Sequence, residues 1–203
     1  MKRLSVENID IIIDEIKSGN PVIIPTDTIY GIACEALNKK AVSKVYKIKK
    51  RDNNKPLTLN LNKKKDITKY AYITNKLEKE IIKKLMPGAI TLLLKKKEYV
   101  VDLISKNSEY IGVRIPNNKI VKEIIKKINS PLVLTSVNIS GEMPIIDLDD
   151  LNSEISNNIR YAIDVGIINK GVESTIVKVT NNKVKILREG KITKKQIEDI
   201  LSR

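Results

Sequence analysis

The chain has 203 residues, 41% of them hydrophobic, which is enough for one compact domain with a buried core but not for a second domain of ordinary size. Lys and Arg number 38 against 24 for Asp and Glu, and the net charge of +14 suits polyanionic partners such as nucleotides or RNA. Histidine is absent and Cys34 is the one cysteine, which excludes Ser-His-Asp triads, intramolecular disulfides and zinc sites of the usual kind.

The sequence predicts neither a membrane segment nor a secretory signal. Apolar runs such as residues 22–24 fall far short of the roughly 20 residues that span a bilayer. Met1 is followed by an acidic, periodic stretch instead of an apolar block with a small-residue cleavage site. We therefore expect a cytoplasmic protein.

The N-terminal part of the chain alternates helix and strand signals. Ser5 is predicted to cap a helix that carries isoleucines at helical spacing and that Gly19 ends. A buried strand at 22–24 and a loop at 25–28 follow. Asn38 is then predicted to cap a second helix with an apolar inner face.

The same alternation continues to the end without a repeat or a low-complexity linker, so we predict one α/β domain over residues 1–203. Pro87-Gly88 is expected to end a helix, and Asn181-Asn182 to join the last two strands. A basic loop is predicted at 49–56, helices at 74–85, 120–128 and 193–201, and strands at 57–61, 90–94, 111–115, 132–134, 159–163, 174–179 and 184–187.

Three polar loops stand out because ligands in open α/β sheets bind beyond the ends of strands. Residues 25–31 offer hydroxyls, a carboxylate and a phenol; residues 49–57 offer fixed positive charge that can hold phosphate oxygens; residues 135–141 offer neutral donors and backbone amides. Taken alone, the first is also compatible with a structured turn and the second with a solvated basic run. The glycine-rich fingerprints G-x-G-x-x-G and G-x-x-x-x-G-K-[ST] are absent.

The order and spacing of seven short segments are more specific than any one loop. The segments are PTDTIYG at 25–31, Lys49 and Arg51 followed by KPL at 55–57, PGAIT at 87–91, GVRIP at 112–116, Ser136 and Asn138 leading into ISG, GVEST at 171–175 and LREG at 187–190. Together they resemble the YrdC/TsaC-like threonylcarbamoyl-AMP synthases along nearly the whole chain.

This resemblance implies a twisted open mixed sheet with flanking helices and a basic concave cleft. It also implies synthesis of L-threonylcarbamoyladenylate from L-threonine, bicarbonate and ATP, with release of pyrophosphate. A tRNA threonylcarbamoyl transferase complex would then receive the product for modification of the adenosine beside the anticodon, and tRNA itself is a further candidate partner. Such a reaction depends on alignment and charge neutralisation more than on a strong base, so a chain without histidine can perform it.

The resemblance also assigns roles to individual residues, and Arg114 is the expected partner of the threonine carboxylate. Mg²⁺ is expected with ATP, and Asp27 and Glu173 are carboxylates that could hold it or serve only as loop hydrogen-bond acceptors. Asn60 stands where many members have a histidine. The catalytic set is Lys49, Arg51, Ser136 and Asn138; the ATP-binding set is Arg51, Lys55, Tyr110, Ser136, Asn138, Pro144 and Arg188; the L-threonine-binding set is Thr28, Asn60, Arg114, Leu134 and Ser174.

A nucleic-acid-binding module is the alternative from another functional class, because the net charge of +14 favours it as well. Base stacking is not expected, since the aromatic residues are seven Tyr with no Trp or Phe. The hydrogenase-maturation proteins that contain a related domain need further domains, which 203 residues cannot hold.

Overall fold

The computed structural model describes residues 1–52, 54–98, 100, 102–168 and 171–202, so Asn53 of the predicted basic loop lies outside the described residues. The strands are β1 (Lys2–Leu4), β2 (Val22–Pro25), β3 (Tyr30–Glu35), β4 (Thr58–Asn60), β5 (Ala71–Tyr72), β6 (Ile90–Lys96), β7 (Tyr110–Arg114), β8 (Leu132–Ser136), β9 (Tyr161–Ile163), β10 (Thr175–Thr180) and β11 (Lys183–Arg188). The helices are α1 (Ile9–Lys17), α2 (Lys39–Ile48), α3 (Ile67–Tyr70), α4 (Lys76–Leu85), α5 (Asp102–Ser105), α6 (Lys119–Ile128), α7 (Ser153–Ser156) and α8 (Lys194–Ser202).

All of these strands belong to one mixed sheet. Its order is β1-β9-β2-β3-β8-β4-β7-β6-β10-β11, with β5 paired to β6. Strand β9 runs parallel to β1 and β2, β4 parallel to β7, and β10 parallel to β6; the other pairs are antiparallel. The predicted α/β fold with a mixed sheet and flanking helices is therefore confirmed.

The two faces of the sheet are covered differently. Side chains alternate along each strand, so Ile23 of β2 faces one core and its neighbours Val22 and Ile24 face another. The first core includes residues of α2, α4 and α8. The second core packs α1 and α6 over β2, β3 and β8. Within the described residues, these two helices leave β4, β6, β7 and β10 uncovered on the second face, and polar side chains there form the floor of a cleft.

Asparagine side chains define several helix ends. The Asn38 side chain accepts a hydrogen bond from the Ala41 amide at 3.1 Å, which confirms the predicted cap of α2. Asn75 caps α4 in a capping box with Glu78, so this helix starts at Lys76 and not at Thr74. The cap predicted at Ser5 is wrong, because its side chain makes no cap bond and a 3₁₀ turn precedes α1.

The sequence did not predict strand β3. Its residues follow the polar loop directly and include Gly31 and Ala33, which favour strands weakly. In the structure β3 pairs with β2 and β8, and Tyr30 and Ile32 are fully buried, so tertiary pairing outweighs the weak local preference. The predicted turn between β10 and β11 is confirmed, since Asn181 and Asn182 have φ values of 51° and 54°, as a tight hairpin requires.

Within the described residues, no helix has both the length and the apolar character needed to cross a membrane.

Candidate functional site

A cleft of about 140 Å³ opens on the uncovered part of the second face. All five residues of the predicted L-threonine-binding set line it. So do Arg51, Ser136 and Arg188, three residues of the predicted ATP-binding set. The sequence-predicted residues in the cleft are Thr28, Arg51, Asn60, Arg114, Leu134, Ser136, Ser174 and Arg188.

The loop between β2 and β3 holds its hydroxyl groups in fixed positions. Thr26 donates through Oγ1 to the carbonyl of Ile29 at 2.7 Å and accepts from the amide of Thr28 at 3.0 Å. The hydroxyls of Thr26 and Thr28 are 2.9 Å apart, and both residues are buried. Thr28 therefore presents a hydroxyl that the loop has already oriented.

Arg114, at the end of β7, is 7% exposed and lines the cleft. Its Nη2 donates to Oδ1 of Asp27 at 2.7 Å and its Nε to the carbonyl of Gly88 at 3.2 Å. Burial lowers the pKa of Arg114, and the carboxylate of Asp27 opposes that shift. Its Nη1 makes only a long contact, 3.4 Å, to Oγ1 of Thr28, so this end of the guanidinium keeps donors for a carboxylate.

Ser174 and Thr91 form a buried hydroxyl pair in the cleft, with 3.0 Å between their Oγ atoms. Arg188 donates through Nη2 to the carbonyl of Ser174 at 2.9 Å, and its Nη1 lies 2.8 Å from Oε2 of Glu173. Thr91 belongs to the PGAIT segment at 87–91, but no role was predicted for it from the sequence. The available signal was its polar side chain between the apolar residues of a buried strand.

Gly112 has no side chain, which leaves space at the floor of the cleft. A Cβ atom at this position would lie 3.1 Å from Cγ2 of Thr91 and 3.5 Å from Oγ1 of Thr58, on the two neighbouring strands. Strand β7 thus crosses the cleft between two threonines without filling it.

Lys49 and Asn138 are brought together, but outside the lining of the cleft. Lys49 Nζ donates to the carbonyls of Ser136 at 2.5 Å and Asn138 at 2.8 Å, and to Oδ1 of Asn138 at 3.0 Å. Lys49 is 1% exposed. Burial, and then the charge of Arg51, lower the pKa of Lys49 to about 7. Neither Lys49 nor Asn138 lines the cleft.

Three further residues of the predicted ATP-binding set lie outside the cleft. Lys55 is exposed, and its carbonyl accepts from Nε of Arg51 at 3.2 Å. Tyr110 starts β7, at the opposite end from Arg114, and Nζ of Lys178 lies 3.4 Å from its ring centroid. Pro144 is half-buried in the segment after Asn138. The structure does not bring these three residues to the cleft wall.

Fold and cleft together define an α/β protein with a mixed sheet and a polar cleft lined by three arginines, Arg51, Arg114 and Arg188. The chain belongs to the Sua5/YciO/YrdC family, whose model, described as "Telomere recombination", matches residues 14–190. It is 44% identical over 178 residues to a protein of Methanocaldococcus jannaschii provisionally named threonylcarbamoyl-AMP synthase, covering 88% of this chain and 83% of that protein.

Two further relatives extend the comparison. The threonylcarbamoyl-AMP synthase of Bacillus subtilis is 28% identical over 190 residues, covering 92% of this chain and 54% of that protein. The crystal structure of Pyrococcus abyssi Sua5 complexed with L-threonine matches the fold with a TM-score of 0.90 at 28% identity, covering 98% of this chain and 58% of that one. The chain thus spans little more than half the length of these two relatives.

Proposed function

We propose that this protein is an L-threonylcarbamoyladenylate synthase, which makes its product from L-threonine, bicarbonate and ATP and releases pyrophosphate. The observation that carries the proposal is that all five residues expected to bind L-threonine line one cleft together with Arg51, Ser136 and Arg188. The names of the relatives and the L-threonine in the P. abyssi complex support it.

In the proposed mechanism, the free Nη1 end of Arg114 binds the threonine carboxylate, and the hydroxyls of Thr28 and Ser174 orient the amino acid. The deprotonated amine adds to carbon dioxide derived from bicarbonate, which gives a carbamate and releases a proton. A carbamate oxygen then bonds to the α-phosphorus of ATP while the bond to the bridging oxygen breaks and pyrophosphate leaves. Water is the remaining product of the bicarbonate.

Arg51 and Arg188 are the cations that we expect to balance the charge of the triphosphate, and Ser136 lines the same cleft. Asn60, where many family members have a histidine, donates through Nδ2 to the carbonyl of Thr58 at 3.2 Å and contributes a fixed polar group to the threonine end. Leu134 supplies packing or backbone contacts. Lys55, Tyr110 and Pro144 do not line the cleft. They remain proposed contacts for a part of ATP that extends beyond it.

Mg²⁺ is proposed to enter with ATP. Within the described residues, no group of three Asp, Glu, Cys or His side chains could hold a metal ion. Asp27 does not fit this role, because it is bonded to Arg114 and does not line the cleft. Glu173 is also paired with an arginine, Arg188, but it lines the cleft, and Mg²⁺ commonly uses one carboxylate together with substrate phosphates.

The proposed product has a reactive mixed anhydride bond, so hand-off to a tRNA threonylcarbamoyl transferase complex in the cytoplasm is part of the proposal. Direct tRNA binding is a candidate that the net charge of +14 favours. A nucleic-acid-binding role without ATP turnover is the competing function, and the same charge supports it.

The test is pyrophosphate release by the purified protein with ATP, L-threonine and bicarbonate, each omitted in turn, and mass spectrometry of the nucleotide product. We expect release that needs all three substrates and an adduct with the mass of threonylcarbamoyl-AMP. Arg51→Ala is the control and should abolish the product. Salt-dependent tRNA binding by a protein that leaves ATP intact would overturn the proposal in favour of the competing function.

A further inference from the structure

Lys49 uses the full donor capacity of its ammonium group on one turn. Its Nζ donates to the carbonyl of Ser136 at 2.5 Å, the carbonyl of Asn138 at 2.8 Å and Oδ1 of Asn138 at 3.0 Å. An ammonium has three donors, so none is left for a phosphate oxygen while this arrangement holds. The Lys49 carbonyl also accepts from the amide of Ser140 at 2.9 Å, so the end of α2 is tied to the turn by backbone as well.

The Asn138 side chain is occupied in the same way. Its Oδ1 accepts from Oγ of Ser136 at 2.6 Å as well as from Lys49. Its Nδ2 donates to the carbonyls of Ile139 at 2.9 Å and Glu142 at 2.8 Å. Both amide donors and both acceptor directions of Asn138 therefore stabilise the turn itself.

Other donors of the turn remain for an anion. Among the hydrogen bonds of the described residues, the backbone amides of Asn138 and Ile139 have no acceptor. Ser136 lines the cleft, and so does Arg51, two residues after Lys49. Successive free backbone amides form sites for phosphate groups when the turn that holds them is rigid.

We propose that Lys49 is a positioning residue for ATP: it fixes the turn of residues 136–139 so that the free backbone amides of Asn138 and Ile139 meet the triphosphate beside Arg51, and it does not itself contact phosphate. This inference rests on the proposed function, because it names how the phosphate end of that site is built. It assigns the Lys49 and Asn138 side chains to stabilising the turn instead of binding phosphate directly. Burial is the main cause of the lowered pKa of Lys49, about 7.

The first experiment measures amide hydrogen exchange in the protein without nucleotide. Lys49→Met keeps a long unbranched side chain but removes the ammonium, and we expect the hydrogen-bonded amides of Val137 and Ser140 to exchange about tenfold faster while the rest of the sheet is unchanged. The matched variant Arg51→Met should leave exchange in this turn unchanged. Both variants should weaken ATP binding, measured by calorimetry, by at least about tenfold.

The pH dependence of ATP binding is a second readout, which a general loss of stability would not produce. A neutral amine can donate only two hydrogen bonds, so the dissociation constant of wild-type ATP complexes should rise between pH 7.5 and 9. The same constant should be flat over that range in Lys49→Met. Unchanged exchange in the turn of Lys49→Met, combined with loss of ATP binding, would overturn the inference and indicate direct contact with phosphate.

A crystal structure of the wild-type protein with pyrophosphate decides the question if Lys49→Met does not fold. Nζ of Lys49 should keep its three oxygen partners in the turn. A phosphate oxygen within about 3.2 Å of Nζ would overturn the inference. If the wild-type protein makes no threonylcarbamoyl-AMP, the proposed function fails, while exchange in the turn still tests the role of Lys49 by itself.

Discussion

Arg114 and Asp27 form an ion pair, with 2.7 Å between Nη2 and Oδ1, in which the two side chains are 8% and 12% exposed. Arg114 lines the cleft and Asp27 does not, so the carboxylate supports the guanidinium from outside the ligand space. The Asp27 carbonyl in turn accepts from Nζ of Lys191 at 2.7 Å. The cation proposed for the threonine carboxylate is therefore fixed before any ligand enters.

Replacing Asp27 with asparagine should destabilise the fold. The variant leaves a buried guanidinium without its counter-charge, and we expect the free energy of unfolding in urea to fall by about 2–4 kcal/mol. Asp149→Asn is the matched control, because Asp149 pairs with Arg3 at 2.5 Å but is 77% exposed, and exposed pairs contribute little. Equal losses in the two variants would contradict a special role for the buried pair.

Thr91→Val tests a residue that the sequence did not single out. Valine has nearly the shape of threonine but cannot bond to Oγ of Ser174, which lies 3.0 Å from the Thr91 hydroxyl. We expect the dissociation constant for L-threonine to rise by about three- to tenfold, equivalent to one hydrogen bond, with little change in melting temperature. In the double variant with Ser174→Ala the two effects should not add, and full additivity would show that the two hydroxyls act separately.

Glu173 and Arg188 should have opposite effects on ATP affinity. Glu173 places a negative charge 2.8 Å from an arginine of the proposed phosphate site. Glu173→Gln should therefore strengthen ATP binding in EDTA by about threefold, whereas Arg188→Gln should weaken it by about tenfold. Calorimetric titration measures both. Weaker binding in both variants would mean that Glu173 supports Arg188 and does not oppose the triphosphate.

Burial of Lys49 should make the stability of the fold depend on pH. Its pKa is about 7 in the folded protein, against 10.5 for an ordinary lysine, so between these values the unfolded chain binds more protons than the folded one. The contribution of Lys49 to the free energy of unfolding should therefore rise as pH increases from 7 to 10.5, by at most about 1.4 kcal/mol per pH unit. Urea unfolding at several pH values should show a smaller slope in Lys49→Met, and equal slopes would mean that Lys49 titrates normally.

Features encoded by a few neighbouring residues could be predicted from the sequence. Asn38 caps α2 because its side chain reaches an amide three residues along, and the hairpin of β10 and β11 needs two residues that tolerate positive φ. The residues proposed to bind L-threonine were found by resemblance, because residue types at fixed spacing mark the family, and the structure places all five at one cleft. In these cases the deciding contact joins residues that are close in the sequence, or the motif is specific to the family.

Other features depend on chain segments that are far apart. Lys49 and Ser136 are 87 residues apart, and whether Nζ points into the cleft or away from it depends on how α2 packs against β3. Thr91 enters the site because β6 lies between β7 and β10, an order that local patterns do not determine. The pairing of Asp27 with Arg114 is likewise long-range, so a loop carboxylate could be taken for a metal ligand.

The half-covered second face of the sheet also limits how this site can change. On β7, Arg114 lines the cleft, and a side chain at Gly112 would meet Thr58 and Thr91, which line it too. Ile111 and Val113 are fully buried in the opposite core. An insertion or deletion of one residue within the strand would exchange these sets, placing a guanidinium in the core and isoleucine in the cleft. Substitutions can therefore alter ligand preference one side chain at a time, whereas changes in chain length are confined to the connecting loops.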